Sequence, residues 1–164
     1  MPSCESVLQA FGARHFADWT GLEPGCAKAR VAAVFPSWLP GIGAGQIGDR
    51  AAQYHMLEIA GYPRPVRAWF DDDILLMLDA EYPDPAHVLA GDIEALGEPE
   101  ARLDCWWDVV SLARAEWVFA ARGLAAFINP DNRIVLRVLT FPPVSLAEYE
   151  RSFRVSWRSI EFRR

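Results

Sequence analysis

Residues 116–141 read EWVFAARGLAAFINPDNRIVLRVLTF. The Val, Ile, Leu and aromatic residues of this stretch are typical of half-buried strands, which the sequence predicts over 116–121, 123–128 and 133–141. Between the last two strands, the tetrapeptide NPDN at 129–132 predicts a turn, because proline fixes φ and Asp and Asn tolerate the conformations that close a hairpin. The sequence therefore predicts an antiparallel sheet at the centre of the protein.

The last of these strands carries an alternating pattern. Ile134, Leu136 and Val138 alternate with Arg133 and Arg137. Since successive side chains of a strand point to opposite faces, the pattern predicts one apolar face and one face in solvent.

An earlier segment has the same organisation. Apolar residues over 67–70 and 74–80 flank Asp71, Asp72 and Asp73. Three adjacent carboxylates could attract a hard cation, but neighbouring turn residues point in different directions and no calcium-loop spacing follows. We expect a hairpin with a solvated acidic tip.

Composition indicates a single compact domain over 1–164, since 52% of the 164 residues are hydrophobic. No apolar run approaches the roughly 20 residues of a membrane span, and the first residues lack the basic and apolar regions of a secretory signal. Cys4, Cys26 and Cys105 are odd in number and widely spaced, unlike a disulfide framework or a zinc pattern. We therefore expect a reducing, cytoplasmic location and no membrane partner.

Charge is distributed unevenly along the chain. The net charge is −6, and residues 151–164 carry five Arg and one Glu, which leaves a net −10 on residues 1–150. A mostly acidic body argues against a nucleic-acid partner and would attract a basic protein at long range. The alternative is that the negative charge serves only solubility.

Four helices and a last strand are predicted around the sheet. Ser3, Asp84 and Ser145 are suited to be N-caps, and Ser145 opens a capping box that ends at Glu148. Alternation of apolar residues with arginine and serine predicts a C-terminal strand over 153–157. The predicted helices cover 3–16, 24–35, 84–96 and 145–152.

Residues 43–48, GAGQIG, match the letters of a dinucleotide-binding fingerprint. That fingerprint requires a strand before it and a helix directly after it, whereas Pro36 and Pro40 precede it here and a helix precedes them. We expect a glycine-rich connecting loop, with phosphate binding as the alternative.

The chain contains a weak internal repeat. Residues 23–82 and 84–141 each begin with a proline near a helix start, continue into a hairpin and end in an aromatic residue followed by proline. A recurrence of about 60 residues is typical of a repeated supersecondary unit. The sequence predicts an α+β protein of two tandem helix-plus-antiparallel-sheet units, and chance recurrence of the pattern is the alternative.

Two short motifs carry a resemblance to a known superfamily. GLEPG at 21–25 and LGEP at 96–99 resemble the helix boundaries of the β-lactamase-inhibitor-protein and outer-membrane-lipoprotein (OmlA/SmpA-type) superfamily, in which a helix precedes an antiparallel sheet. The resemblance implies a non-catalytic, protein-binding role. The chain departs from the pattern because it shows neither a signal with paired cysteines nor an apolar run before Cys4.

Candidate catalytic and metal-binding groups are dispersed. His15, His55 and His87 lie far apart in the sequence, and no G-x-S-x-G motif occurs. Nothing in the sequence meets the test of a nucleophile, a base and an orienting group. We expect no enzymatic activity, no metal and no cofactor.

The adjacent tryptophans Trp106 and Trp107 are the most informative candidates for binding. If they lie on a strand, they point to opposite faces, so one is left outside the core. Trp is enriched at interface centres, and Asp104 and Asp108 on either side would pair with a basic partner. The alternative is that both indoles are buried between sheet and helices.

The sequence thus predicts a bacterial immunity or inhibitor protein that neutralises a toxin or enzyme by occluding it, with Trp106, Trp107, Asp104 and Asp108 as its partner-binding residues. A domain that binds a small molecule, or an enzyme, using the loop at 43–48 is the alternative. A deep polar pocket would favour the second, and a flat aromatic and acidic face the first.

Overall fold

The structure is a computed structural model that describes residues 3–107 and 109–154. Within these residues the chain forms helices, one large sheet and two irregular helical turns. The helices are α1 (Cys4–Gly12), α2 (Lys28–Val34), α3 (Leu89–Glu94) and α4 (Leu146–Glu148). The strands are β1 (Gly43–Ile47), β2 (Arg50–Leu57), β3 (Val66–Asp71), β4 (Ile74–Glu81), β5 (Ala101–Trp107), β6 (Val110–Phe119), β7 (Leu124–Ile128) and β8 (Val135–Thr140). A 3-10 turn covers Ala120–Arg122 and a π-helical turn covers Tyr149–Phe153.

The eight strands form one antiparallel sheet in the order β1-β2-β3-β4-β8-β7-β6-β5. Each half of the chain contributes a four-stranded meander, and the two meanders join where β4 pairs with β8. The predicted α+β class, the antiparallel sheet and the N-terminal helix are confirmed. Helix α1 begins where predicted, because the Ser3 side chain accepts a hydrogen bond from the Ser6 backbone N–H.

The sheet is covered on both faces. On one face, Phe11 of α1, Val31 of α2 and Ile93 of α3 belong to a core shared with the strands. On the other face, Phe141, Tyr149 and Phe153 pack in a second core. Since neighbouring strand residues such as Ala125 and Ala126 fall in different cores, the sheet is the middle layer.

A buried ion pair lies at the junction of β4 and β8. Arg137 donates through Nε to Asp79 Oδ1 at 2.7 Å and through its terminal nitrogen to Oδ2 at 2.5 Å. Burial alone would raise the pKa of Asp79, but Arg137 and the nearby Arg67 outweigh it and lower that pKa below its ordinary value. The expectation that Arg137 faces solvent is wrong, because its side chain is fully buried and its guanidinium lies against the Phe127 ring of the second core. The Asp79 carboxylate on the neighbouring strand offsets the cost of burying the charge.

The structure shows no clear division into the two tandem units predicted over 23–82 and 84–141. The β4–β8 pairing makes one continuous sheet, and the helices before the two meanders differ, since α1 and α2 precede the first and the six-residue α3 precedes the second. Local patterns predicted the hairpins but not how the hairpins would join.

Residues 43–48 do not form the expected loop, because β1 occupies Gly43–Ile47 and pairs with β2. A Cβ atom on Gly43 would lie 2.0 Å from the Tyr54 ring, and one on Gly45 would lie 2.8 Å from the Trp69 ring. The glycines therefore make room for aromatic rings that cover an edge strand. Strand β2, and not a helix, follows these glycines, so the segment lacks the strand, loop and helix that a phosphate-binding fingerprint requires.

Several predicted boundaries shift. α1 ends at Gly12 and α2 starts at Lys28, while α3 starts at Leu89 although Asp84 accepts hydrogen bonds from the backbone N–H groups of residues 88 and 89. The predicted C-terminal strand is wrong at residues 153 and 154, because 153 lies in the π-helical turn and 154 follows it outside any strand. Residues 155–157 lie outside the described residues.

The cysteine prediction is also wrong. Cys4 and Cys26 form a disulfide with a Cα–Cα distance of 5.7 Å, and Cys105 is free and buried. Twenty-two residues separate the pair in sequence, and only the packing of α1 against the segment before α2 brings them together.

Across residues 3–107 and 109–154, no helix is both long enough and apolar enough to cross a membrane.

Candidate functional site

The outer part of the β5–β6 hairpin, residues 104–114, extends past its neighbouring strand; we call it the ribbon. β6 has ten residues but pairs with β7 only from Glu116 to Phe119. Residues 110–115 therefore continue beyond the paired region, by about 20 Å at roughly 3.4 Å per residue. Within the described sheet, the two strands of the ribbon make strand pairs only with each other.

Asp104 holds a bend in the ribbon. The β5–β6 register shifts between Leu103 and Cys105, and Arg114 opposite has a φ of +56°. Asp104 Oδ1 accepts a hydrogen bond from the Arg114 backbone N–H at 2.8 Å. The exposed carboxylate predicted to meet a partner thus also stabilises a β-bulge.

Arg154 fastens the base of the ribbon. Its guanidinium donates to the Asp104 carbonyl at 2.8 Å and to the Glu116 carboxylate at 3.0 Å. Glu116 is buried and also accepts a hydrogen bond from the Tyr149 hydroxyl at 2.5 Å. Burial raises the pKa of Tyr149 well above its ordinary value, and Glu116 raises it further, so the phenol stays protonated and donates.

The two adjacent tryptophans have opposite environments. Trp107 donates its indole N–H to the Tyr82 hydroxyl at 2.6 Å, and the two rings form an edge-to-face pair with centroids 5.1 Å apart. The Arg64 guanidinium lies 4.4 Å from the centre of the Tyr82 ring. Trp106 remains 48% exposed, so the two indoles point to opposite faces, as the alternation predicts.

Exposed apolar side chains concentrate at the end of the ribbon. Trp106, Val109 and Val110 are 48%, 71% and 54% exposed, and they are three of the six exposed large hydrophobic residues in the described chain. Val110 pairs with Trp107, whereas Ser111 pairs with Trp106. The apolar surface therefore covers the turn and both faces of the ribbon. Asp108 lies outside the described residues.

Two open clefts lie elsewhere. A cleft of about 240 Å³ contains Ser6, Trp19 and an exposed pair in which His15 Nε2 lies 3.1 Å from Asp18. A second, of about 380 Å³, contains Tyr62 and Arg64. Neither is lined by the ribbon or by residues 43–48.

The ribbon contains a free, buried cysteine, Cys105. Burial, together with the Glu116 carboxylate, raises the pKa of the Cys105 thiol to about 12, so it carries almost no thiolate at neutral pH. The described residues contain no group of three or more His, Cys, Asp and Glu side chains that could hold a metal.

Sequence reasoning named Trp106, Trp107 and Asp104 as partner-binding candidates, which stays a prediction, and did not predict the side chains that hold them in place. Tyr82 contacts Trp107 across 25 residues, and Arg154 reaches Asp104 across 50. Neither contact leaves a local pattern in the chain. A Tyr at the end of a strand is only a weak signal.

Comparison with protein-family models, with curated proteins and with solved structures finds no match to this chain.

Proposed function

We propose that this protein is a non-catalytic bacterial protein-binding module, of the immunity or inhibitor kind, that neutralises a basic toxin or enzyme by occluding it with the ribbon. The observation that carries the proposal is the cluster of exposed Trp106, Val109 and Val110 at the end of a protruding hairpin. Exposed apolar patches of this kind mark interaction sites, and a central Trp is a frequent energetic anchor.

The shape of the ribbon favours insertion into a groove. Apolar side chains lie on both of its faces and at its turn, so a flat partner surface would cover only one side. A groove in the partner would cover Trp106 and Val110 together. An active-site cleft is a groove of this kind, and filling it would occlude the partner's substrate.

The ribbon is also held in position before binding. Trp107 is bonded to Tyr82 near its end, and Asp104 to Arg154 at its base. A loop already fixed in its binding conformation loses less conformational entropy on association. This preorganisation supports a role in recognition.

Charge supports a basic partner. Residues 1–150 carry a net −10. Asp104 lies in the ribbon, and Asp108 directly precedes Val109 of the apolar cluster in the sequence. These carboxylates would steer a basic protein towards the ribbon and mainly raise the association rate.

The resemblance to the β-lactamase-inhibitor-protein and OmlA/SmpA-type superfamily belongs to the same proposal. One departure from that superfamily disappears, because Cys4 and Cys26 are paired. The same pairing removes the reason for predicting a cytoplasmic location. The alternative function at residues 43–48 is not carried forward, since that segment is a strand.

The test uses the product of the neighbouring reading frame, because immunity proteins are typically encoded beside their toxins. We expect the two purified proteins to form a stoichiometric complex in which the activity of the neighbour is lost. Absence of a complex, or a complex in which the neighbour stays fully active, would contradict occlusion.

A further inference from the structure

The Cys4–Cys26 disulfide joins two parts of the helical layer to the sheet. Cys4 is the first residue of α1, and Cys26 stands two residues before α2. The Cys26 carbonyl accepts a hydrogen bond from Leu75 at the start of β4, and the next residue, Ala27, forms a bridge with Ile74. The disulfide therefore ties the N-terminal helix to a segment that is itself paired with the sheet.

The disulfide is buried among closely packed core side chains. Cys4 and Cys26 are only 1% and 2% exposed and belong to the same core cluster as Phe11 and Trp19. The Cys4 backbone N–H donates to the Glu23 carboxylate at 2.8 Å, which holds the intervening loop against the start of α1. A Cα–Cα distance of 5.7 Å lies in the usual range for a disulfide.

We infer that this disulfide is a structural cross-link that the protein needs for full stability, and that the protein therefore works in a compartment oxidising enough to keep it. Disulfides form and persist in secreted and periplasmic proteins and are rare in reducing cytosol. A cross-link that closes a loop of this length stabilises chiefly by restricting the unfolded chain. The inference stands apart from the proposed function, because it concerns where the chain folds and not what it binds.

Cys105 does not compete for this pairing. It belongs to the second core, on the other face of the sheet. Burial and the Glu116 carboxylate raise the pKa of its thiol to about 12. Since only a thiolate attacks a disulfide, Cys105 stays reduced and serves as an internal reference.

The redox step involves glutathione as the reductant. One glutathione thiolate attacks a cysteine sulfur, the S–S bond breaks, and the other cysteine leaves as a thiolate that takes up a proton. A second glutathione then attacks the mixed disulfide, which yields two cysteine thiols and one oxidised glutathione. Because both sulfurs are buried, the attack requires local opening of the start of α1.

The first test counts thiols in the wild-type chain. The protein is equilibrated in a mostly oxidised and in a mostly reduced glutathione buffer, unfolded in denaturant that contains excess N-ethylmaleimide at neutral pH to alkylate free thiols, and weighed by intact mass spectrometry. We expect one alkylated cysteine, mapped to Cys105, from the oxidised buffer and three after full reduction. Three alkylated cysteines from the oxidised buffer would overturn the inference.

The second test measures the contribution to stability and the compartment. A phosphine reductant should lower the wild-type Tm by roughly 5–10 °C and leave the Cys4→Ser/Cys26→Ser variant unchanged, while Cys105→Ser should respond like wild type. Wild-type chain made in the bacterial periplasm should carry the disulfide, and chain made in the cytoplasm should be reduced and less stable. Equal Tm values for the reduced and oxidised chains would refute the structural requirement.

Discussion

At the residue scale, Trp106 and Trp107 differ although they are neighbours on one strand. The indole of Trp107 has a hydrogen-bond partner and an aromatic contact in Tyr82, whereas half of the Trp106 surface meets solvent. The strand period of two produces this difference. Stability should therefore depend on Trp107, and recognition on Trp106.

Replacing each indole by alanine tests this separation in the free protein. We expect Trp106→Ala to lower the free energy of unfolding by no more than about 1 kcal/mol, and Trp107→Ala to lower it by about 2 kcal/mol or more, since a packed ring and a hydrogen bond are lost. Urea denaturation followed by circular dichroism measures both. Equal losses would place the two indoles in similar environments.

The turn between β3 and β4 offers a second residue-scale prediction. Asp72 has a φ of +50°, in the left-handed region that Asp and Asn tolerate and β-branched residues do not. We expect Asp72→Asn to change stability by no more than about 0.5 kcal/mol, and Asp72→Val to cost about 1–2 kcal/mol. A large loss in the Asn variant would show that the carboxylate has a specific partner.

At the element scale, β1 depends on the glycines that admit the Tyr54 and Trp69 rings. We expect Gly43→Ala to destabilise the protein by about 1–3 kcal/mol through overpacking. Gly91→Ala in α3 is the matched control, because its added methyl meets no atom within 4 Å and should stabilise by about 0.5–1 kcal/mol. Thermal melts compare the two. If Gly43→Ala is neutral, the rings do not cover β1.

The sequence predicted an element well where the contacts that form it are local in sequence, and poorly where they join distant residues. Strand period and turn chemistry located the hairpins at 67–80 and 116–141, and the Ser3 and Ser145 caps, because these signals are local. The same reasoning misassigned β1, since alanine and glycine have low strand propensity and their partners lie on another strand.

The features of the candidate site also fall into those that a local pattern predicts and those that depend on contacts between distant residues. Alternation identified an exposed indole at Trp106 or Trp107, but nothing in the sequence predicted that Tyr82 would hold one of them. The Cys4–Cys26 pair was missed because a disulfide depends on spatial proximity, which spacing alone does not give.

At the scale of the whole molecule, the β4–β8 junction holds the two meanders together, and Asp79 and Arg137 lie buried on it. We expect Asp79→Asn to cost about 3–5 kcal/mol, because it leaves the Arg137 charge buried without its carboxylate. The double variant Asp79→Leu/Arg137→Met should cost less than Asp79→Asn alone. If the stability loss of the double variant equals the sum of the losses in Asp79→Leu and Arg137→Met alone, the two side chains are not coupled across the junction.

The pair also predicts a pH dependence. The pKa of Asp79 is below its ordinary value of 3.8 in the folded protein, so the unfolded chain binds the proton more readily. Its stabilising contribution is complete above about pH 4 and is lost as the pH falls from there through the lowered folded pKa. Chemical denaturation at pH 2 to 7 should show a smaller acid loss in the double variant than in wild type. An identical acid loss would exclude Asp79 as a contributor.

If the ribbon binds its partner through Trp106, removal of that indole must raise the Kd of the complex with the neighbouring reading frame's product. Calorimetric titration should show Trp106→Ala binding at least about 30-fold more weakly, which corresponds to about 2 kcal/mol. Ile42→Ala, which shortens a side chain that is 61% exposed away from the ribbon, is the control and should bind within about threefold of wild type. Circular dichroism confirms that both variants are folded. If folded Trp106→Ala binds as tightly as wild type, the interface lies elsewhere and the claim is wrong.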